Sequence, residues 1–141
     1  MQNIDIFETN SVTEIETQID EFVAQDMLSK ELAEIVNVRK IYEFFNTEIG
    51  HRMKKSKQIK REVKFFLNIP ACDISPELSR EETVILQGII DCYFEENGKL
   101  ILLDYKTGRI TEKYKKQLEI YKKALEKITH KEVAECHLIT L

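Results

Sequence analysis

Two spacings of apolar residues divide this chain. Up to about residue 57 they recur every three or four positions; from residue 58 onward they alternate or run unbroken. Ser11 or Thr13 caps a first predicted helix over residues 11–24, with Ile15, Ile19, Phe22 and Val23 as its stripe. Ser29 caps a second, predicted to run without interruption to about residue 45. Its inward positions are Leu32, Ile35, Val36, Val38, Ile41, Phe44 and Phe45. A short helix or turn from Thr47 to Met53 follows. The period then changes to that of strands. Arg61–Ile69 reads as a strand closed by Pro70, and residues 71–82 as a polar loop. Thr83–Glu95 reads as a second strand with a bend at Gly88, and Lys99–Tyr105 as a third. Asn97-Gly98 between them is a two-residue hairpin signal. Leu100 to Leu103 are apolar on both faces, as in a central strand covered twice. A helix is predicted from about Thr111 to Ile128, with Leu118, Tyr121 and Leu125 on one face, and a last strand over Glu132–Thr140. The expectation is one mixed α/β domain over residues 1–141. A helical portion (1–57) precedes a β-β-β-α-β core (58–141), and helices flank a mixed sheet.

Composition narrows the class. The chain has 141 residues, of which 43% are hydrophobic and 33% charged, and no apolar run approaches a membrane span. Cys72, Cys92 and Cys136 are widely spaced without a Cys-x-x-Cys, which argues against zinc ribbons and suits a reducing cytoplasm. The net charge of −4 is unevenly spread: residues 1–35 hold nine acids against Lys30 alone. Residues 52–64 hold Arg52, Lys54, Lys55, Lys57, Lys60, Arg61 and Lys64 against Glu62. A second basic run comprises Lys106, Arg109, Lys113, Lys115, Lys116, Lys122 and Lys123. Such runs beside an acidic pocket suit a phosphate backbone, and either run taken alone reads more plainly as a solvated helix face.

The candidate chemistry lies on the predicted strands. Asp91 ends the apolar run Gly88-Ile89-Ile90. Asp104 and Lys106 follow Leu102-Leu103, and alternation puts both on one face with Tyr105 on the other. The hairpin brings Asp91 toward Asp104. Carboxylates gathered this way repel unless a cation sits between them, and hard oxygen ligands suit Mg²⁺ or Mn²⁺. A lysine there can stabilise charge developing on an attacked phosphodiester. Each residue also has a plainer reading. Asp91 can be satisfied by backbone amides, Asp104–Lys106 can be an ordinary ion pair, and Glu62 can be a surface salt-bridge residue. Gln117 and Tyr121 share a helix face, where they can meet the pocket or be a solvated glutamine and a core tyrosine. His51, His130 and His137 lack metal-binding spacing, and no phosphate-binding glycine loop is present.

The strings Arg-Glu-Val-Lys-Phe-Phe (61–66), Gln-Gly-Ile-Ile-Asp (87–91), Leu-Leu-Asp-Tyr-Lys-Thr (102–107) and Gln-Leu-Glu-Ile-Tyr (117–121) occur in that order. Together they resemble the RecB-type nucleases of the PD-(D/E)xK superfamily, in particular the AddAB-type (RexAB) helicase-nuclease branch, over nearly the whole chain. The resemblance implies a restriction-endonuclease-like core and Mg²⁺-dependent hydrolysis of unwound single-stranded DNA, with Mn²⁺ able to substitute. By it, Glu62, Asp91, Asp104 and the backbone carbonyl of Tyr105 would ligate the metal, and Lys106 would act on the attacking water and the transition state. Gln117 and Tyr121 match the family's Gln-x-x-x-Tyr motif. With Arg109 and Lys64 they are the candidates for DNA binding or ordering of the site. Relatives carry a metal-site histidine on an earlier helix. No histidine precedes His51, so the expectation is a carboxy-terminal portion of a larger chain. The implied partners are that chain's ATP-dependent helicase domains and an AddB/RexB-type subunit. The tail cysteine triplet of iron–sulfur relatives is missing, so no cluster is expected. The competing expectations are a non-catalytic DNA-binding or docking module with the same fold, and a stand-alone exonuclease.

Overall fold

The computed structural model covers residues 1–141. Helix α1 (Val12–Ala24) starts at Ser11, whose hydroxyl accepts from Glu14 N at 3.1 Å. Buried Gln18 on α1 accepts from Asp5 N at 2.7 Å and donates to the Glu8 carbonyl at 2.7 Å. It thereby fastens the segment before the helix, which contributes Ile4 and Ile6 to the core.

The expected single helix from Ser29 to residue 45 is two helices, α2 (Lys30–Ile35) and α3 (Val38–Phe45). Ser29 caps the first as expected. Val36 is extended, and the Asn37 side chain accepts from Lys40 N at 3.0 Å, restarting the helix. Asn is a cap residue that competes with the helical hydrogen bond, and two β-branched neighbours weaken the helical alternative. The break turns Ile41, Phe44 and Phe45 inward but leaves Leu32 and Ile35, expected inward, at 52% and 76% exposed. Helix α4 (Glu48–Lys55), capped by Thr47, crosses the end of α3 closely at Gly50. A Cβ there would lie 2.3 Å from the Phe44 carbonyl oxygen.

Strands β1 (Ile59–Pro70), β2 (Thr83–Glu96), β3 (Lys99–Lys106) and β4 (Val133–Thr140) form one sheet in that order. β1–β2 and β2–β3 are antiparallel, and β3–β4 is parallel. Helix α5 (Glu112–Thr129) makes the crossover between β3 and β4. Asn97 (φ 53°) and Gly98 (φ 77°) both take the left-handed region, as a two-residue hairpin turn requires.

Two cores sandwich the sheet. Helices α1, α3 and α4 pack Ile15, Ile41, Phe45 and Met53 with Cys92, Phe94, Ile101 and Leu103. Helix α5 packs Leu118, Ala124 and Leu125 with Phe65, Ile90, Leu100 and Leu102 on the other face. Strand β3 feeds both cores, which is why Leu100 to Leu103 form an apolar run.

The expected bend at Gly88 is absent, since pairing runs unbroken through Phe65 and Gly88. The irregular step lies at Glu62 and Asp91, which face each other in register but are not bridged. Glu62 holds φ 50° there. Across this step the alternation changes phase. Ile59, Cys92 and Phe94 face the helical core, whereas Val63, Phe65 and Ile90 face α5.

Candidate active site

Asp104 sits near the carboxy end of β3 on the α5 face, 2% exposed, with Leu103 and Tyr105 turned into the opposite core. Burial of the charged carboxyl is the largest cause of its raised pKa, and the neighbouring Asp91 carboxyl raises it further. The Lys106 ammonium opposes both. Lys106 Nζ lies 3.0 Å from Asp104 Oδ2 but off the direction a hydrogen bond needs. That buried oxygen therefore has a charge partner and no directed donor. Asp91, on β2, accepts from Tyr105 N at 2.9 Å through Oδ2. The Asp91 and Asp104 carboxyls are thus neighbours, one anchored to backbone and one sealed against the sheet. Both plainer readings of these residues are realised locally. Neither accounts for two carboxyls brought together with one of them buried.

Lys106 connects the strand to α5. Its Nζ donates to Gln117 Oε1 at 3.0 Å, and Gln117 Nε2 donates to the Tyr121 hydroxyl at 3.1 Å. The Tyr121 ring meets the edge of Phe65, with centroids 5.4 Å apart. Gly88 makes room for this edge-to-face pair, because a Cβ there would lie 2.9 Å from Phe65 Cζ and 3.0 Å from the Tyr121 hydroxyl. The structure therefore brings together Asp91, Asp104, Lys106, Gln117 and Tyr121. The role of Gly88 was not readable as a site feature; its signal was a glycine inside an apolar strand, which also marks close approach.

The remaining expected residues lie around this cluster or away from it. Glu62 faces Asp91 across the strand pair but is exposed, and the Gln2 amide, turned nitrogen-first, donates to its carboxylate. No three His, Cys, Asp or Glu side chains are gathered closely enough to hold a metal ion. The Tyr105 side chain is on the opposite face, edge-on to Phe44 at 5.9 Å, and burial raises its pKa. Its backbone, whose carbonyl is the expected ligand, lies beside Asp91, to which its N–H donates. Lys64 and Arg109 are exposed on β1 and on the loop after β3. Two members of the first basic run have structural partners instead. Arg61 donates to the carbonyls of Met1, Gln2 and Ile4. Arg52 pairs with Glu96 and Glu135.

This topology and this cluster can be set beside known proteins. A family profile described as the PD-(D/E)XK nuclease superfamily matches residues 8–140. The chain belongs to the PD-(D/E)XK nuclease superfamily. Its sheet order and flanking helices are consistent with the fold of that superfamily, whose members generally use divalent metals. Hard carboxylate oxygens, one of them buried without a directed donor, are the donor type such an ion takes, and two such side chains, Asp91 and Asp104, are neighbours here. Among curated relatives, an ATP-dependent helicase/nuclease subunit of Clostridium kluyveri (strain ATCC 8527) is 45% identical over 148 residues. Proteins of the same name from Thermoanaerobacter sp. (strain X514) and Alkaliphilus metalliredigens (strain QYMF) are 42% and 40% identical. Each match covers 98% of this nuclease-superfamily chain and 12% of the relative, so the chain spans about an eighth of the length of these relatives. No helix is long and apolar enough to cross a membrane.

Proposed function

We propose that this chain is a metal-dependent deoxyribonuclease domain that hydrolyses phosphodiester bonds of unwound single-stranded DNA. The observation that carries the reading is Asp104: a sealed carboxyl with one undirected oxygen, beside Asp91 and against Lys106. Asp91 and Asp104 would hold Mg²⁺, or Mn²⁺ in its place, with Glu62 and the Tyr105 carbonyl completing the ligands. When bound, the cation would supply Lewis-acid stabilisation of charge at the scissile phosphate. An ammonium has three donors, and in Lys106 one is taken by Gln117 while Asp104 lies beside it as a charge partner. A remaining donor is available to orient the attacking water or a phosphate oxygen, where fixed positive charge stabilises the transition state. In the reaction a bond forms from the water oxygen to phosphorus, one ester P–O bond breaks, and the departing oxygen ends protonated. Gln117 and Tyr121 keep Lys106 in place, while Lys64 and Arg109 would meet the DNA backbone.

The name of the relatives supports a wider setting. The domain would serve an AddAB-type helicase-nuclease, with ATP consumed in helicase domains of the same protein, and its partner would be an AddB/RexB-type subunit. In the cytoplasm, the assembly would process double-strand breaks for recombination and degrade foreign linear DNA.

The test is calorimetric titration of Mn²⁺ into the wild type, Asp91→Ala and Asp104→Ala, beside cleavage of a labelled single-stranded oligonucleotide. Binding is expected in the wild type and lost in both variants. Asp104→Ala and Lys106→Ala are expected to abolish cleavage without unfolding the chain. Wild-type cleavage by either of these would overturn the reading. The outward placement of Glu62 favours a second reading, a DNA-binding or docking module that retains the fold without cutting. Intact DNA binding with no Mn²⁺ uptake by the wild type would select it.

A further inference from the structure

Tyr114 lies on the first turn of α5, with its ring centroid 4.8 Å from Lys106 Nζ. The ring is half-buried, yet it belongs to neither hydrophobic core, and its hydroxyl makes no hydrogen bond within the protein. Tyr121 and Tyr93 do pack against the α5 core, so Tyr114 is set apart among the tyrosines near this helix. Tyr114, Gln117 and Tyr121 are spaced to share one helix face, and Lys106 meets the first two directly. A lysine has a flexible four-carbon stem, and holding its ammonium in one place costs considerable side-chain entropy. Asp104 and Gln117 approach Nζ with oxygens, both 3.0 Å away. The π-face of Tyr114 closes a further side with negative quadrupole and no acceptor atom. An oxygen in its place would offer the lysine another hydrogen bond and draw a proton donor away from the reaction.

We propose that Tyr114 is a positioning residue for the nuclease reaction: its ring holds the Lys106 ammonium by a cation–π contact and leaves its unpaired N–H groups for water or phosphate. This rests on the reading of Lys106 as the lysine that supports hydrolysis. The aromatic face is what matters, so phenylalanine serves and leucine does not. The other close ring–lysine pair, Lys54 over Phe45 at 5.4 Å, lies on α4 away from the carboxylates and has no such role.

Four proteins decide the matter: wild type, Tyr114→Phe, Tyr114→Leu and the control Lys106→Ala. The first readout needs neither metal nor DNA. Ring current is expected to shift the Lys106 Cε–H signals upfield in wild type and Tyr114→Phe, and the shift should vanish in Tyr114→Leu. The second is cleavage of a labelled single-stranded oligonucleotide with Mg²⁺. Cation–π contacts in partly desolvated sites correspond to a kcat loss of about tenfold in Tyr114→Leu. KM should stay within about twofold, and Tyr114→Phe should keep wild-type kcat. The thermal midpoint of each variant shows whether it is folded. Unchanged kcat in Tyr114→Leu overturns the proposal, as does an equal loss in a folded Tyr114→Phe. A rise in KM alone makes Tyr114 a DNA contact and overturns it too. If Lys106→Ala cuts as well as wild type, the reading beneath the proposal fails with it. An upfield-shifted Lys106 would then mark the ring contact as structural only.

Discussion

At Glu62 an ordinary side chain holds a backbone conformation that favours glycine, with φ 50° inside a strand pair. The same residue faces Asp91 and takes part in the phase change of both strands. Strain of this kind persists where surrounding structure over-determines it and is often found at functional sites. The usual strand preference should therefore be reversed at this position. Glu62→Gly is expected to be more stable than Glu62→Ala by about 1 kcal/mol, measured by urea unfolding. Equal stabilities, or a more stable alanine variant, would show that the backbone there carries no strain. Asp104, Lys106, Gln117 and Tyr121 were legible as candidates because strand alternation and helical spacing are local rules. The outward turn of Glu62 was not legible, because it follows from a phase change that alternation alone does not anticipate.

Among the elements, the hairpin, the double-faced β3 strand and the crossover helix followed from apolar period and turn residues. The break between α2 and α3 did not, since Val36 and Val38 fit the helical stripe while Asn37 offers its own cap. Gly88 shows the same limit from the other side. The expected bend is a packing vacancy that admits Phe65 and Tyr121, and the rings that need it lie on β1 and α5. Gly88→Ala is expected to cost about 1–2 kcal/mol through overpacking and to lower the thermal midpoint by several degrees. Adding Phe65→Leu should recover part of that loss by giving the new methyl room. A Gly88→Ala midpoint equal to wild type would mean the rings shift freely and the vacancy is not needed.

Across the whole molecule, Arg52 ties the helical layer to the sheet. It donates to both Glu96 oxygens at 2.7 and 3.0 Å and to Glu135 at 2.9 Å, joining α4 to β2 and β4. Its guanidinium holds the Glu96 and Glu135 carboxyls below the usual range, with His137 assisting at Glu135. A depressed carboxylate contributes stability above its unfolded pKa and loses it as pH falls through the folded one. All these side chains are partly solvated, so the network is worth about 1 kcal/mol. Arg52→Gln should lower the thermal midpoint by about 3 °C at pH 7, and the difference should shrink as pH falls below about 4. A difference that stays constant down to pH 2 would assign the effect to packing rather than charge. In the sequence Arg52 was one cation in a basic run; only its partners, 44 and 83 residues away, distinguish it. By itself the sequence determined the sheet-forming half and the candidate residues for chemistry, because periodicity and turns act over short spans, and its ordered motifs carried the resemblance to the superfamily. Tertiary structure alone decided which carboxyls meet, which cations are committed to structure and which ring faces Lys106. Those depend on distant segments packing to one register, where the low-dielectric interior gives a buried oxygen its need for a partner.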